Sequence, residues 1–270
     1  MRVPYRLAAI DLDETLVAPD GFVSPRNAEA LQNLRQAGVL CVVASGRMHE
    51  STLRFAEALD FDGPVISYNG AMIRDRFTGE TWRHVTVPSE PAAEIVRFCA
   101  ENGHHLNYYL DDRLYVAEVG HWARFYQQHT GSRMTPIGDL GKLAGTCPTK
   151  MILITTPDEA DRLYRVMSDR YAGLLYLART NPEYLEFMAP GCDKGVALRV
   201  LAERLGIPRE ETLAFGDGGN DLPMMQAAGF SVAMGSGKEA VRNAASWVAP
   251  GFENDGFAQA VTAIIEGRIG

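Results

Sequence analysis

Several protein classes are excluded by what this chain has little of. Four cysteines in 270 residues, Cys41, Cys99, Cys147 and Cys192, lie far apart and form no CxxC pair. That spacing supplies neither a disulfide framework nor a thiolate metal site, and it reads as reduced thiols of a cytoplasmic protein. Long apolar runs are missing. The best, VLCVVA at 39 to 44, is far shorter than a membrane span requires, and Asp11 arrives before a signal-peptide core can form. A basic excess is missing too. Lysine and arginine total 26 against 34 acidic residues, for a net charge of −8. This argues against nucleic acid as a partner, which wants a basic surface. A small anionic ligand stays open, because a local pocket can oppose the global sign. No low-complexity tract or solenoid-period repeat stands out.

What is present reads as a soluble globular chain, with 46 % hydrophobic and 22 % charged residues. Its length suits one large or two ordinary domains. Short apolar runs end in Gly, Ser or Asp: RLAAID (6 to 11), VLCVVASG (39 to 46), PVISYNG (64 to 70) and TLAFGDG (212 to 218). Their continuous hydrophobicity marks strands buried on both faces, as in a parallel sheet. Helices fit between them. One spans 25 to 37, with Ser24 as N-cap, Pro25 at its first position and Gly38 as its stop. Another spans 194 to 206. The alternation predicts a doubly wound, Rossmann-like α/β core built from residues 1–79 and 190–270. The middle of the chain has another texture, with aromatics and alternating polarity in WRHVTV, HLNYYLDDRLYVAEV, KMILIT and EYLEFM. LDDRLY reads as a hairpin turn, and helices fit 89 to 102 and 157 to 169. We read 80–189 as a second, inserted α/β domain with mostly antiparallel strands.

The chemistry gathers at strand ends. Asp11 closes the first apolar run and Asp13 follows two residues later. Open α/β sheets bind ligands beyond the carboxyl ends of their strands. Paired carboxylates there invite Mg²⁺, or a division of labour between nucleophile and general acid. An Asx-capped turn is the plain alternative. Ser45–Gly46–Arg47 ends the second run and could hold phosphate on a hydroxyl and backbone N–H groups, or simply cap a helix. GDGGNDLPMM (216 to 225) offers Asp217 and Asp221 as oxygen ligands, while Asn220 or Asp221 could instead cap the helix that LPMM starts. Lys194, at a helix start where the macrodipole disfavours a cation, is a surface lysine by default or a clamp among carboxylates.

Taken in order, D-x-D-x-T-L, S-G-R, Lys194 and G-D-x-x-N-D resemble the haloacid dehalogenase superfamily, and the large late insert resembles its Cof-type sugar-phosphatase branch. The resemblance spans nearly the whole chain. It implies a phosphoric monoester hydrolase with Asp11 as nucleophile, forming an aspartyl-phosphate, and Asp13 as general acid and base. It implies Mg²⁺ held by the Asp11 carboxylate, the Asp13 main-chain carbonyl and Asp217, with Asp221 assisting. Phosphoryl oxygens would meet Leu12, Ser45, Gly46, Lys194 and Asn220, with Arg47 and Asn69 near the substrate entrance. The residue after the second Asp, often Gly in this family, is Glu14 here, an extra negative charge that either bears on the metal or points to solvent. The insert would be a cap, with His104, His105, Tyr108, Asp111, Arg113 and Arg179 as candidate substrate contacts. The implied activity is Mg²⁺-dependent hydrolysis of small phosphorylated metabolites by a monomer or homodimer. Sugar phosphates come first, and flavin- or pyridoxal-type phosphate esters are variants. A phosphosugar mutase and a non-catalytic phosphate-ligand-binding protein are the alternatives.

Overall fold

The computed structural model describes residues 3–270. It divides into two compact units, one running up to Arg83 and resuming over Asp193–Gly270, the other His84–Cys192. In chain order the first unit opens with β1 (Leu7–Ile10), α1 (Pro25–Gln36), β2 (Leu40–Val43), α2 (His49–Ala58), β3 (Val65–Ser67), β4 (Met72–Arg74) and β5 (Thr81–His84). The inserted unit follows with α3 (Ser89–Asn102), β6 (His105–Leu110), β7 (Arg113–Val116), α4 (His121–Thr130), β8 (Thr135–Pro136), β9 (Lys150–Ile154), α5 (Pro157–Arg170), β10 (Tyr176–Ala178) and β11 (Tyr184–Met188). The chain then returns through α6 (Lys194–Leu205), β12 (Thr212–Gly216), α7 (Leu222–Ala227), β13 (Phe230–Ala233), α8 (Glu239–Ala244), β14 (Trp247–Val248) and α9 (Gly256–Ile265).

The first unit is a doubly wound α/β fold. Its sheet runs β14-β13-β12-β1-β2 with every pairing parallel. Alternate strand residues serve opposite faces. Ile10, Val43, Phe215 and Val232 meet α1 and α9 through Leu31, Leu34, Phe257 and Val261, while Ala9, Val42 and Ala214 meet α6 and α7 through Leu198, Leu201 and Met224. Burial on both faces explains why these strands read as unbroken apolar runs. Helix boundaries follow local chemistry. The Asn27 N–H donates to the Ser24 hydroxyl at the start of α1, and the Val196 N–H donates to Asp193 at the start of α6. Gly206 ends α6 in the left-handed region at φ 62.

PVISYNG departs from expectation. Only Val65–Ser67 is a strand, and it pairs antiparallel with β4 in a three-stranded sheet β3-β4-β5. It touches the parallel sheet through one isolated bridge, Ala44 to Ile66. The run is too short to extend the ladder before the chain turns at Tyr68, Asn69 and Gly70, all at positive φ.

The inserted unit holds a six-stranded sheet, β10-β11-β9-β6-β7-β8, antiparallel except for β7 with β8. The β6–β7 hairpin turns on Asp111 and Asp112, both left-handed at φ 50 and 57, which suits a primed turn. Helices α3 and α5 cover one face with Ile95, Cys99, Leu163 and Met167. Tyr108, a candidate substrate contact in the sequence, lies in that core and its hydroxyl reaches Thr146. Two other such candidates have partners within this unit: His104 stacks on Phe98, and Arg179 pairs with Asp161. Among the described residues no helix is long and apolar enough to cross a membrane.

Candidate active site

Between β1 and β12 the strand order reverses direction, because β1 leads to β2 on one side and β12 leads to β13 on the other. Asp11 directly follows β1, and Asp217 directly follows β12. The backbone tightens this end of the sheet, with the Asp11 N–H donating to the Phe215 carbonyl at 3.0 Å. Two carboxylates are thereby delivered to one crevice by strand pairing alone. Asp221 joins them, and Asp11, Asp217 and Asp221 each offer an oxygen within 4.8 Å of the others. Asp221 precedes α7 but makes no side-chain cap. Its Oδ2 accepts instead from the N–H groups of Asp217 and Gly218, at 3.1 and 2.9 Å. Lys194, the first residue of α6, is fully buried and donates Nζ–H to Asp11 Oδ1 at 2.5 Å and to Asp221 Oδ1 at 2.6 Å. It is not a surface lysine.

A second group surrounds the end of β2. Ser45 is buried, its N–H donates to Ile66 O, and its hydroxyl accepts from the Arg47 N–H at 3.2 Å. The left-handed turn after β3 grips this loop, since the Tyr68 N–H donates to Arg47 O and the Asn69 N–H to Ser45 O. Asn69 then reaches Asn220, whose Nδ2 donates to Asn69 Oδ1 at 3.0 Å. A Cβ at Gly46 would sit 2.7 Å from that same Oδ1, so a side chain there would displace the Asn69 amide. The Asp13 side chain stands apart from the three-carboxylate cluster. It is half exposed and takes two bonds from Arg47, Nε to Oδ2 at 3.0 Å and Nη2 to Oδ1 at 2.5 Å.

The motifs therefore meet in space, and comparison with known proteins is direct. A family model described as haloacid dehalogenase-like hydrolase matches residues 8–261. The chain belongs to the haloacid dehalogenase-like hydrolases. It is 27 % identical over 262 residues to the 5-amino-6-(5-phospho-D-ribitylamino)uracil phosphatase of Bacillus subtilis, covering 95 % of this chain and 96 % of that one. It is 28 % identical over 262 residues to the pyridoxal phosphate phosphatase of Escherichia coli, covering 94 % and 96 %. A solved haloacid dehalogenase-like hydrolase from Bacteroides thetaiotaomicron superposes with a TM-score of 0.89 at 28 % identity, covering 96 % of this chain and 99 % of that one. As a phosphatase of this family, the chain is a phosphoric monoester hydrolase.

In haloacid dehalogenase-like hydrolases a divalent metal is generally required, and the donor set here can be tested for one. Burial pushes the Asp11 carboxyl well above the usual carboxylate range, and Asp221 adds to this while Lys194 opposes it. Burial likewise lifts Asp217 to about 7, helped by Asp221 and Glu14. Burial works against the Lys194 charge, yet Asp11 and Asp221 outweigh it and hold the ammonium charged. One cation faces three carboxylates, which leaves uncompensated negative charge on hard oxygen donors. That chemistry fits a divalent oxygen-seeking ion. Both Asp221 oxygens already accept hydrogen bonds, so Asp11 and Asp217 are the freer donors.

Two features of the haloacid dehalogenase site escape a reading by sequence. The Thr15 hydroxyl donates to Asp217 Oδ1 at 3.3 Å, tying the two strand ends together. Gly237 packs on Asp217, where an added Cβ would approach its backbone at 2.8 to 2.9 Å. Thr15 lies inside the D-x-D-x-T-L run and could have been marked from it. Gly237 carries no local signal.

Proposed function

We propose that the chain is a Mg²⁺-dependent phosphatase of small phosphorylated metabolites, working through an aspartyl-phosphate on Asp11. The observation that carries this reading is the buried Lys194 ammonium, bonded to both Asp11 and Asp221 beside Asp217. Asp11 and Asp217, with the Asp13 main chain and Asp221 assisting, would hold the metal. When bound, the ion supplies positive charge that offsets repulsion between a carboxylate nucleophile and an anionic ester.

The chain's own residues do the rest. Lys194 keeps an oxygen of Asp11 fixed and helps neutralise the phosphoryl group. The Ser45 hydroxyl, the N–H groups of Leu12 and Gly46, and the Asn220 amide bind its equatorial oxygens, where transition-state charge spreads. Asp13 first gives its proton to the departing oxygen as the ester P–O bond breaks and the Asp11 O–P bond forms. It then takes a proton from water as the water oxygen bonds phosphorus and the Asp11 O–P bond breaks. Arg47 and Asn69 border the entrance, and the insert, residues 80–189, is the cap that selects the ester.

Full-length relatives are named for a phosphoribitylamino-uracil and for pyridoxal phosphate. They support an ester of a sugar, a sugar alcohol or a cofactor alcohol. Free thiols at all four cysteines agree with a cytoplasmic setting. The test is inorganic phosphate release from sugar, flavin-type and pyridoxal-type esters, with Mg²⁺ and with EDTA. Release that EDTA abolishes and Mg²⁺ restores is expected. Folded, metal-loaded protein that releases phosphate from none of them would sink the reading. Isomerised sugar phosphate without release would turn it toward a mutase.

A further inference from the structure

We infer that Arg47 is a positioning residue for Asp13, and that it governs which leaving groups the enzyme can expel. The inference rests on Asp13 acting as proton donor, as proposed above. The two side chains meet as a fork on a carboxylate, through the Nε and Nη2 bonds already described. Most half-exposed ion pairs hold loosely because two long side chains must be ordered for little gain. This one is ordered beforehand. The Arg47 guanidinium lies over the Phe55 ring of α2, 4.9 Å from its centroid. Its backbone is fixed on both sides, by its N–H on the Ser45 hydroxyl and its carbonyl under the Tyr68 N–H. A guanidinium held over a ring and forked on the carboxylate leaves Asp13 one preferred orientation, which a lysine could not impose.

The chemical consequence follows from where the proton must be delivered. As Asp13 passes its proton to the departing oxygen, Arg47 keeps the carboxyl group in the orientation that the fork and the Phe55 ring impose. The gain matters when the leaving group is a basic alkoxide that needs the proton. It matters little for an aryl oxide stable on its own.

The experiment compares kcat and KM for an alkyl phosphate and for p-nitrophenyl phosphate in wild type, Arg47→Ala, Arg47→Lys, Asp13→Asn and the Asp13→Asn/Arg47→Ala double variant. Arg47→Ala should lose at least about tenfold more kcat on the alkyl ester than on the aryl ester, with KM moving about twofold or less. Arg47→Lys should recover only part of the loss. In the Asp13→Asn background, removing Arg47 should add almost nothing, because the pair acts as one unit. Equal losses on both esters, a rise confined to KM, or additive losses in the double variant would each overturn the inference and make Arg47 a phosphate binder. An Asp13→Asn enzyme that keeps its alkyl-phosphate turnover would overturn the underlying role of Asp13, a distinct failure visible before Arg47 is touched.

Discussion

Lys194 Nζ lies 2.5 Å from Asp11 Oδ1 with neither side chain meaningfully exposed, and a second carboxylate, Asp221, sits 2.6 Å from the same ammonium. A cation at the first position of α6 faces the positive end of the helix dipole. It is stable there because two buried anions outweigh both the dipole and its own desolvation. Removing one partner of such a group leaves the others uncompensated. Lys194→Met should therefore cost about 3 to 5 kcal/mol of stability, in line with broken buried ion pairs, and abolish turnover. Urea unfolding checks the first part and phosphate release the second. A variant as stable as wild type would show that the triad is not electrostatically coupled.

Asp11→Asn separates fold from chemistry. The amide keeps the shape and leaves Lys194 paired with Asp221, so the buried cluster loses one of its three carboxylates while keeping its cation. Stability should stay within about 1 kcal/mol of wild type or rise, since a desolvated charge has been removed. Turnover should fall by at least about a thousandfold if Asp11 forms the covalent bond. Circular-dichroism melting together with phosphate release tests both. Near-normal turnover would remove Asp11 as nucleophile.

The parts of this site that are legible in the sequence are those whose contacts are local. Asp11 and Asp217 converge because each ends a buried run, and the parallel pairing of β1 with β12 aligns those ends. Helix α3 is legible from its amphipathic spacing and from Gly103, whose φ of 68 closes it. Asp221 is harder. Cap rules describe neighbours in sequence, but its decisive partner, Lys194, lies 27 residues away, and its second oxygen turns back to Asp217 and Gly218. The Arg47–Asp13 fork joins residues 34 apart, and no periodicity encodes it. PVISYNG fails for a related reason. A short apolar run says that a strand is buried, not which neighbour it pairs with.

Asp217 links stability to pH. Its carboxyl is raised from the usual range to about 7, chiefly by burial and then by Asp221 and Glu14. Between those values the folded chain binds more protons than the unfolded chain. Stability from this group is therefore present at low pH and lost as pH rises through that window. In EDTA, wild type should lose on the order of 2 kcal/mol relative to Asp217→Asn between about pH 4 and 7. Saturating Mg²⁺ should reverse the difference, because the carboxylate gains a counter-charge. Urea titrations at several pH values measure both. Parallel curves for the two proteins in EDTA would show that Asp217 ionises freely.

Two glycines should separate scaffold from site. At Gly195, the second residue of α6, an added Cβ would lie 2.3 Å from the Pro223 carbonyl oxygen, a backbone atom that cannot rotate away. Gly195→Ala must push α6 and α7 apart, which should cost about 1 to 3 kcal/mol. The shift moves Lys194, the adjacent residue, so kcat should fall with stability. At Gly46 the added Cβ meets Asn69 Oδ1 at 2.7 Å, the far end of a side chain. Asn69 can swing aside, at the loss of its bond with Asn220. Gly46→Ala should therefore melt within a few degrees of wild type while phosphate release drops about tenfold or more. Thermal melts and turnover on both proteins decide the matter. If Gly46→Ala lost stability as heavily as Gly195→Ala, the Asn69–Asn220 contact would belong to the scaffold and not to the phosphate site.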